Sequence, residues 1–207
     1  MPLDRIARSL TEDEIRRRAE RHYPDSRALA RIGSRRFLWP LLRHGTVSEI
    51  EVGVFDAHVV SGEAPVLLRR LTLHLHEVRV RRRDLLRGKV ALADLGEGRV
   101  EVEVDGASLA RALGLPLVFH DDEVEIRAGV GPLAVSARGA LSVVDDVLRF
   151  RPGKIQGFPL LVSMDFEFAL PVGPLWPHAA EVRSIEGGLA LACDLESLPP
   201  GLVNSPR

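Results

Sequence analysis

The chain has 207 residues, 45% hydrophobic and 28% charged, a balance that supports a packed core and excludes a disordered chain. Its formal charge of −1 gives no overall attraction to nucleic acid, and its one cysteine, Cys193, excludes an intrachain disulfide. No stretch approaches the ~18 apolar residues of a membrane span, and Met1–Arg8 lacks the apolar run of a secretory signal, so the chain as written is expected to be cytoplasmic or peripheral to a membrane.

Thr11 to His22 predicts a short helix, with Thr11 as cap, Glu14 completing a capping box, and only Ile15 and Ala19 apolar on a charged surface. Asp25 to Gly33 is read as a helical continuation after Pro24, so residues 1–33 form a charged helical N-terminal segment. Residues 34–198 then form a single β domain, and 199–207 a flexible tail. The segment Ser34–Gly45 sets Phe37, Leu38, Trp39, Leu41 and Leu42 between Arg35, Arg36 and Arg43. From Val47 the apolar period becomes two. Ile50, Val52 and Val54 share one face, but Phe55, Ala57 and Val59 follow in the opposite phase. A strand cannot change phase without a break, which predicts a bulge near Val54-Phe55. Leu71, Leu73 and Leu75 give way to Val78 and Val80 in the same manner, predicting a second bulge near His76-Glu77.

Leu85–Gly88 reads as a turn of helix, followed by strands at Lys89–Leu92 and Arg99–Val104. A clear helix comes next: Asp105 or Gly106 caps it, Leu109, Ala110, Ala112 and Leu113 pack, and Gly114 stops it. Strands resume at Pro116–His120, Glu123–Val130, Leu133–Val143, Val147–Phe150, Met164–Leu170, Glu181–Ile185 and Leu189–Leu195. Nearly every strand has one apolar and one charged face. The expected fold is therefore mainly β with a few short helices: a long curved antiparallel sheet or an incomplete barrel wrapped on those helices. The Val- and Leu-rich inner face suits acyl chains and suits an ordinary core equally well. Charge is uneven along the chain: residues 1–90 carry 19 Lys/Arg and 12 Asp/Glu, residues 91–207 carry 9 and 17. That asymmetry fits an oriented encounter with an anionic surface, or two faces of one domain attracting each other.

One ordered series spans most of the chain. The basic and apolar patch Arg36–Gly45 precedes Ile50-Glu51-Val52 and the Leu-alternating strand Leu71–Val80. The helix Asp105–Leu113, then Leu148–Pro152, Leu170-Pro171-Val172 and Val182–Leu191 complete it. This layout resembles the LmeA-like phospholipid-binding family of bacterial envelope proteins. The resemblance implies a sheet shaped like tubular lipid-binding domains. It also implies binding of anionic phospholipid without chemistry, and support of cell-envelope lipid or glycan assembly. The resemblance implies an export signal or membrane anchor, which the chain as written is not expected to carry, and the family's early Gly-Phe-Pro-Phe pattern reads Arg36-Phe37-Leu38-Trp39-Pro40 here. A nearer echo of that pattern is Gly157-Phe158-Pro159-Leu160-Leu161.

Two candidate sites follow. Phe37, Leu38, Trp39, Leu41 and Leu42, with Arg35, Arg36 and Arg43, suit the boundary between lipid headgroups and acyl chains, or a helix plugging the end of the sheet. Arg79, Arg81, Arg82 and Arg83 suit phosphate headgroups, or a solvated strand end. No stacking aromatics are interleaved with them, so nucleic acid is a poor fit. His74 and His76 share a strand face and could offer two metal ligands, with His58 or Glu77 as a third. Ser108, Ser163 and Asp194 belong to no nucleophile motif, and no cofactor is indicated. The expected activity is non-enzymatic phospholipid binding. A protein-interaction scaffold and a metal-assisted hydrolase are the alternatives.

Overall fold

The computed structural model describes residues 2–34, 37–61, 64–85, 91–128, 135–156, 166–170 and 173–203. Helix α1 (Pro2–His22), strand β1 (Arg27–Ile32) and helix α2 (Leu38–His44) precede a long hairpin, β2 (Thr46–Ser61) and β3 (Ala64–Val80). A short α3 (Arg82–Leu85) leads to β4 (Leu92–Asp94), β5 (Glu97–Asp105) and α4 (Gly106–Leu113). Then come β6 (Leu117–His120), β7 (Glu123–Ala128), β8 (Val135–Val144), β9 (Val147–Gln156), β10 (Phe166–Ala169), β11 (Glu181–Ile185) and β12 (Gly188–Leu195).

The protein is mainly β, as its alternating pattern requires, and its strands divide between two antiparallel sheets, neither closed into a barrel. The first runs β1-β2-β3-β5-β12-β11, with β4 also paired to β3; the second runs β10-β9-β8-β7-β6. They meet at β11. The Asp122 amide donates to the Ser184 carbonyl at 3.1 Å, and Ser184 Oγ donates to the Glu123 carbonyl at 3.0 Å. One hydrophobic core runs through both sheets, joining Leu71, Leu73 and Val102 to Ile126, Leu148 and Phe150.

The phase reversals of the hairpin are present, with a different construction. The β2–β3 pairing keeps one register from Thr46↔Arg79 to Ser61↔Ala64, so neither strand gains a residue on the other. Asp56 and Glu77 instead adopt left-handed backbone, at φ 56° and 52°. Each turns its own strand and the partner turns with it. Val54 and Ala57 are therefore both buried, opposite buried Leu71 and Leu68. The first reversal thus lies at Asp56 rather than Val54-Phe55, and Phe55 stays on the charged face beneath Arg70, 5.7 Å from its ring. A true register shift occurs on the other side of β3, against β5, between Leu68 and Arg70.

Three local expectations are corrected. The first helix begins at Pro2, nine residues before Thr11. Proline suits the first helical position, where its missing N–H is no loss. Thr11 lies inside the helix and donates its hydroxyl to the Ala7 carbonyl at 2.9 Å. Residues 27–32 are a strand rather than helix, because Ala28 and Ile32 enter the core when β1 pairs with β2. Leu202 is fully buried and its carbonyl accepts from Arg18, so residues 199–203 pack against α1 rather than hanging loose. The helix at 106–113 forms as its caps dictate: the Asp105 carboxylate accepts from the Ser108 amide at 2.8 Å, and Gly114 closes it at φ 64°.

Candidate functional site

Helix α2 is seven residues long, too short to be stable alone. Three features hold it. Asp4 of α1 reaches its start, where one carboxylate oxygen accepts from the Phe37 amide at 2.9 Å and the Leu38 amide at 2.8 Å. The Leu38 bond, above all, holds the Asp4 carboxyl below its usual range. Gly45, at φ 69°, closes the other end, its amide donating to the Leu41 carbonyl at 2.9 Å. Phe37 and Leu41 are 2% and 5% exposed and tie the helix to the core. Trp39 and Leu42 lie three residues apart on the outer side, 64% and 65% exposed. Leu38 is half-buried between the two groups. The apolar segment is thus both a plug and an exposed face, divided residue by residue.

The end of β3 adjoins the end of this helix. Val80 donates its amide to the Gly45 carbonyl at 2.7 Å, and Thr46 pairs with Arg79. Arg43 and His44 at the end of α2 therefore adjoin the Arg79–Arg83 run at the end of β3. Arg81 and Arg83 are exposed. Arg79 is also exposed and reaches Asp94 at 3.6 Å, a weak pair in solvent. Arg82 falls within α3. Arg35, Arg36 and the echo at 157–161 lie outside the described residues.

Clefts open elsewhere. One, about 620 Å³, lies on the charged face of the first sheet, lined by Glu51, Arg70, His74, Arg99, Glu101 and Arg183 among others. Arg99 sits in it with three carboxylates, Glu181 at 2.7 Å, Asp194 at 3.0 Å and Glu101 at 3.4 Å, the first of which chiefly pushes its pKa up. A second, about 420 Å³, separates α1 from β1, and a third, about 270 Å³, borders Phe55 and Arg70. All three have charged walls. The Val/Leu face read as a vessel for acyl chains is closed, with Leu71, Leu73 and Leu75 fully buried.

His74 and His76 lie in register with Glu51 and Glu49 on the charged side of the hairpin. Among the described residues no three His, Cys, Asp or Glu side chains converge to hold a metal. Ser108 is occupied by structure: its hydroxyl donates to the Asp105 carbonyl at 2.8 Å and accepts from the Leu67 amide at 3.0 Å. Cys193 is buried, and burial first of all pushes its thiol up to about 11.

A family model, LmeA-like phospholipid-binding, matches residues 3–203. The chain belongs to the LmeA-like phospholipid-binding family. The match takes in α1 and the packed residues 199–203 as well as the sheets. No curated protein and no solved structure matches the chain. Among the described residues, no helix is long and apolar enough to cross a membrane.

The sequence reading missed Asp4, whose target lies 33 residues on and is reached only through the fold. It also missed Leu3, Ile6 and Leu10, which project from the first turns of α1. Their spacing at i, i+3 and i+7, just after a proline, was the available signal.

Proposed function

We propose that this LmeA-like protein binds anionic phospholipid without transforming it and meets the lipid at α2. Trp39 and Leu42 enter the acyl boundary, where tryptophan is favoured, while Arg43, Arg79, Arg81 and Arg83 meet phosphate. The observation that carries this is the meeting, at one end of the long hairpin, of an exposed Trp–Leu pair and Arg43 on α2 with the exposed Arg79, Arg81 and Arg83 at the end of β3. Arg35 and Arg36 belong with them by sequence. Because the Val/Leu face is packed, an acyl chain gains an apolar groove only by parting core side chains near Phe37 and Leu41. A role in supporting cell-envelope lipid or glycan assembly, at a peripheral membrane position, goes with this reading.

Extraction of purified protein with organic solvent, and native mass spectrometry with added phosphatidylglycerol, tests it. Bound or bindable phospholipid is expected. Its consistent absence removes the reading. A second reading, a scaffold that docks a partner protein, is favoured by the filled core and the charged clefts. A partner captured by a chain that binds no lipid would support it.

A further inference from the structure

Five of the nine exposed large apolar side chains among the described residues lie on α1 and α2, so apolar exposure is concentrated on these two helices. Trp39 and Leu42 belong to the site above. Leu3, Ile6 and Leu10 are a separate feature, 72%, 56% and 65% exposed. At about 100° per residue they fall within a strip about 60° wide. It is distinct from the strip that carries Thr11, Ile15 and Ala19 into the core.

The exposed strip continues through Arg17 and Arg21, both exposed, about 10 and 17 Å beyond Leu10 along the axis. The acids beside it are already paired within the helix. Asp13 is 3.0 Å from Arg16, and Glu14 is 3.1 Å from Arg18. Arg17 and Arg21 have no carboxylate partner among the described residues. One face of α1 is therefore apolar over its first turns and cationic over its last. Asp4 and Arg8, bonded to Phe37, Leu38 and Ser34, fix this helix against the α2 region.

We propose that α1 is a membrane-surface helix, with Leu3, Ile6 and Leu10 at the acyl boundary of an anionic bilayer and Arg17 and Arg21 on its phosphates. The arginines favour this occupant over a second copy of the chain. A twofold pairing of apolar strips would carry Arg17 and Arg21 past the partner's helix start, where the dipole is positive. The proposal rests on the phospholipid reading but adds a second contact that α2 does not supply.

The test is flotation of the full chain with vesicles of phosphatidylglycerol and phosphatidylcholine, and with phosphatidylcholine alone. The variant Leu3→Ser/Ile6→Ser/Leu10→Ser should lose at least tenfold in partitioning with its thermal unfolding unchanged. Arg17→Gln/Arg21→Gln should lose roughly 30-fold on the anionic vesicles, at about fivefold per arginine, and nothing on the neutral ones. Partitioning within twofold of wild type for either variant overturns the proposal. So does a dimer that the apolar variant abolishes while vesicle binding persists. Binding of a monomeric short-chain phosphatidylglycerol, read by native mass spectrometry, should be equal in all three proteins. If the wild type floats but takes up no monomeric lipid, the groove reading fails and this one stands. If it takes up lipid and the variants float like wild type, this one fails alone.

Discussion

Replacing Trp39 and Leu42 by serine should separate the two roles of α2. A tryptophan side chain covers about 200 Å², and Trp39 is 64% exposed, so about 130 Å² faces water. At about 25 cal/mol per Å², full transfer from water is worth about 3 kcal/mol, and Leu42 adds about 1–2 kcal/mol. An interface removes only part of that area from water. Half of the total leaves about 2 kcal/mol, or roughly 30-fold in vesicle partitioning. The same two substitutions should change folding stability by no more than about 0.5 kcal/mol, because both side chains already face solvent. Leu41→Ala and Phe37→Ala should instead cost about 2–5 kcal/mol, since both residues are buried. Urea unfolding and vesicle flotation on the same four proteins decide the matter. If Trp39→Ser/Leu42→Ser loses more than about 1.5 kcal/mol of stability, those side chains are packed and the division is wrong. If it keeps both stability and flotation, α2 does not touch lipid.

Asp105 should be a source of acid sensitivity. Burial opposes its ionisation, but the Ser108 amide and the Arg69 guanidinium outweigh this and hold its carboxyl below the usual range. Its contribution is complete above the ordinary carboxylate value of about 4 and fades as pH falls through the lower folded value. Asp105→Asn should flatten the stability curve below about pH 4 in urea titrations, and an unchanged slope refutes this. Asp105→Ala also loses the cap of α4 and should cost about 1–2 kcal/mol. Gly188→Ala would drive a methyl into the Val104 carbonyl across the β12–β5 pair, and should cost more than about 2 kcal/mol, visible as a lower melting temperature. Cys193, buried and with its thiol raised to about 11, should resist alkylation at pH 8 until the chain is unfolded in urea. Rapid labelling of folded protein would show that β12 opens.

Period-two alternation made most strands legible, because each has one face in the core and one in water. Even the phase reversals of β2 and β3 were visible as misplaced apolar residues. Their mechanism was not, since an inserted residue and a left-handed one leave the same pattern, and Asp and Glu do not advertise positive φ as glycine does. Strand β1 was misread because Arg27–Ile32 alone has no decisive period. It is a strand only because β2 offers an edge. The start of α1 was missed because Thr11, three residues before Glu14, reads as a cap, whereas in the fold its hydroxyl bonds back to the Ala7 carbonyl of the turn before it. The division into two sheets escaped as well, since β12 inserts between β5 and β11 across more than eighty residues of chain. The α2 patch was seen as one object. Only burial could divide Phe37 and Leu41 from Trp39 and Leu42.

The unbroken register of the hairpin has a consequence of scale. Seventeen residues of β3 at about 3.3 Å each span about 55 Å before bending, against about 30 Å for the hydrocarbon of a bilayer. Helix α2 sits at one end of this rod, and Ser108 of α4 clasps Leu67 near the other. A molecule standing on a membrane by α2 would therefore hold its far end well clear of the headgroups. That reach is set by two strands whose pairing does not slip.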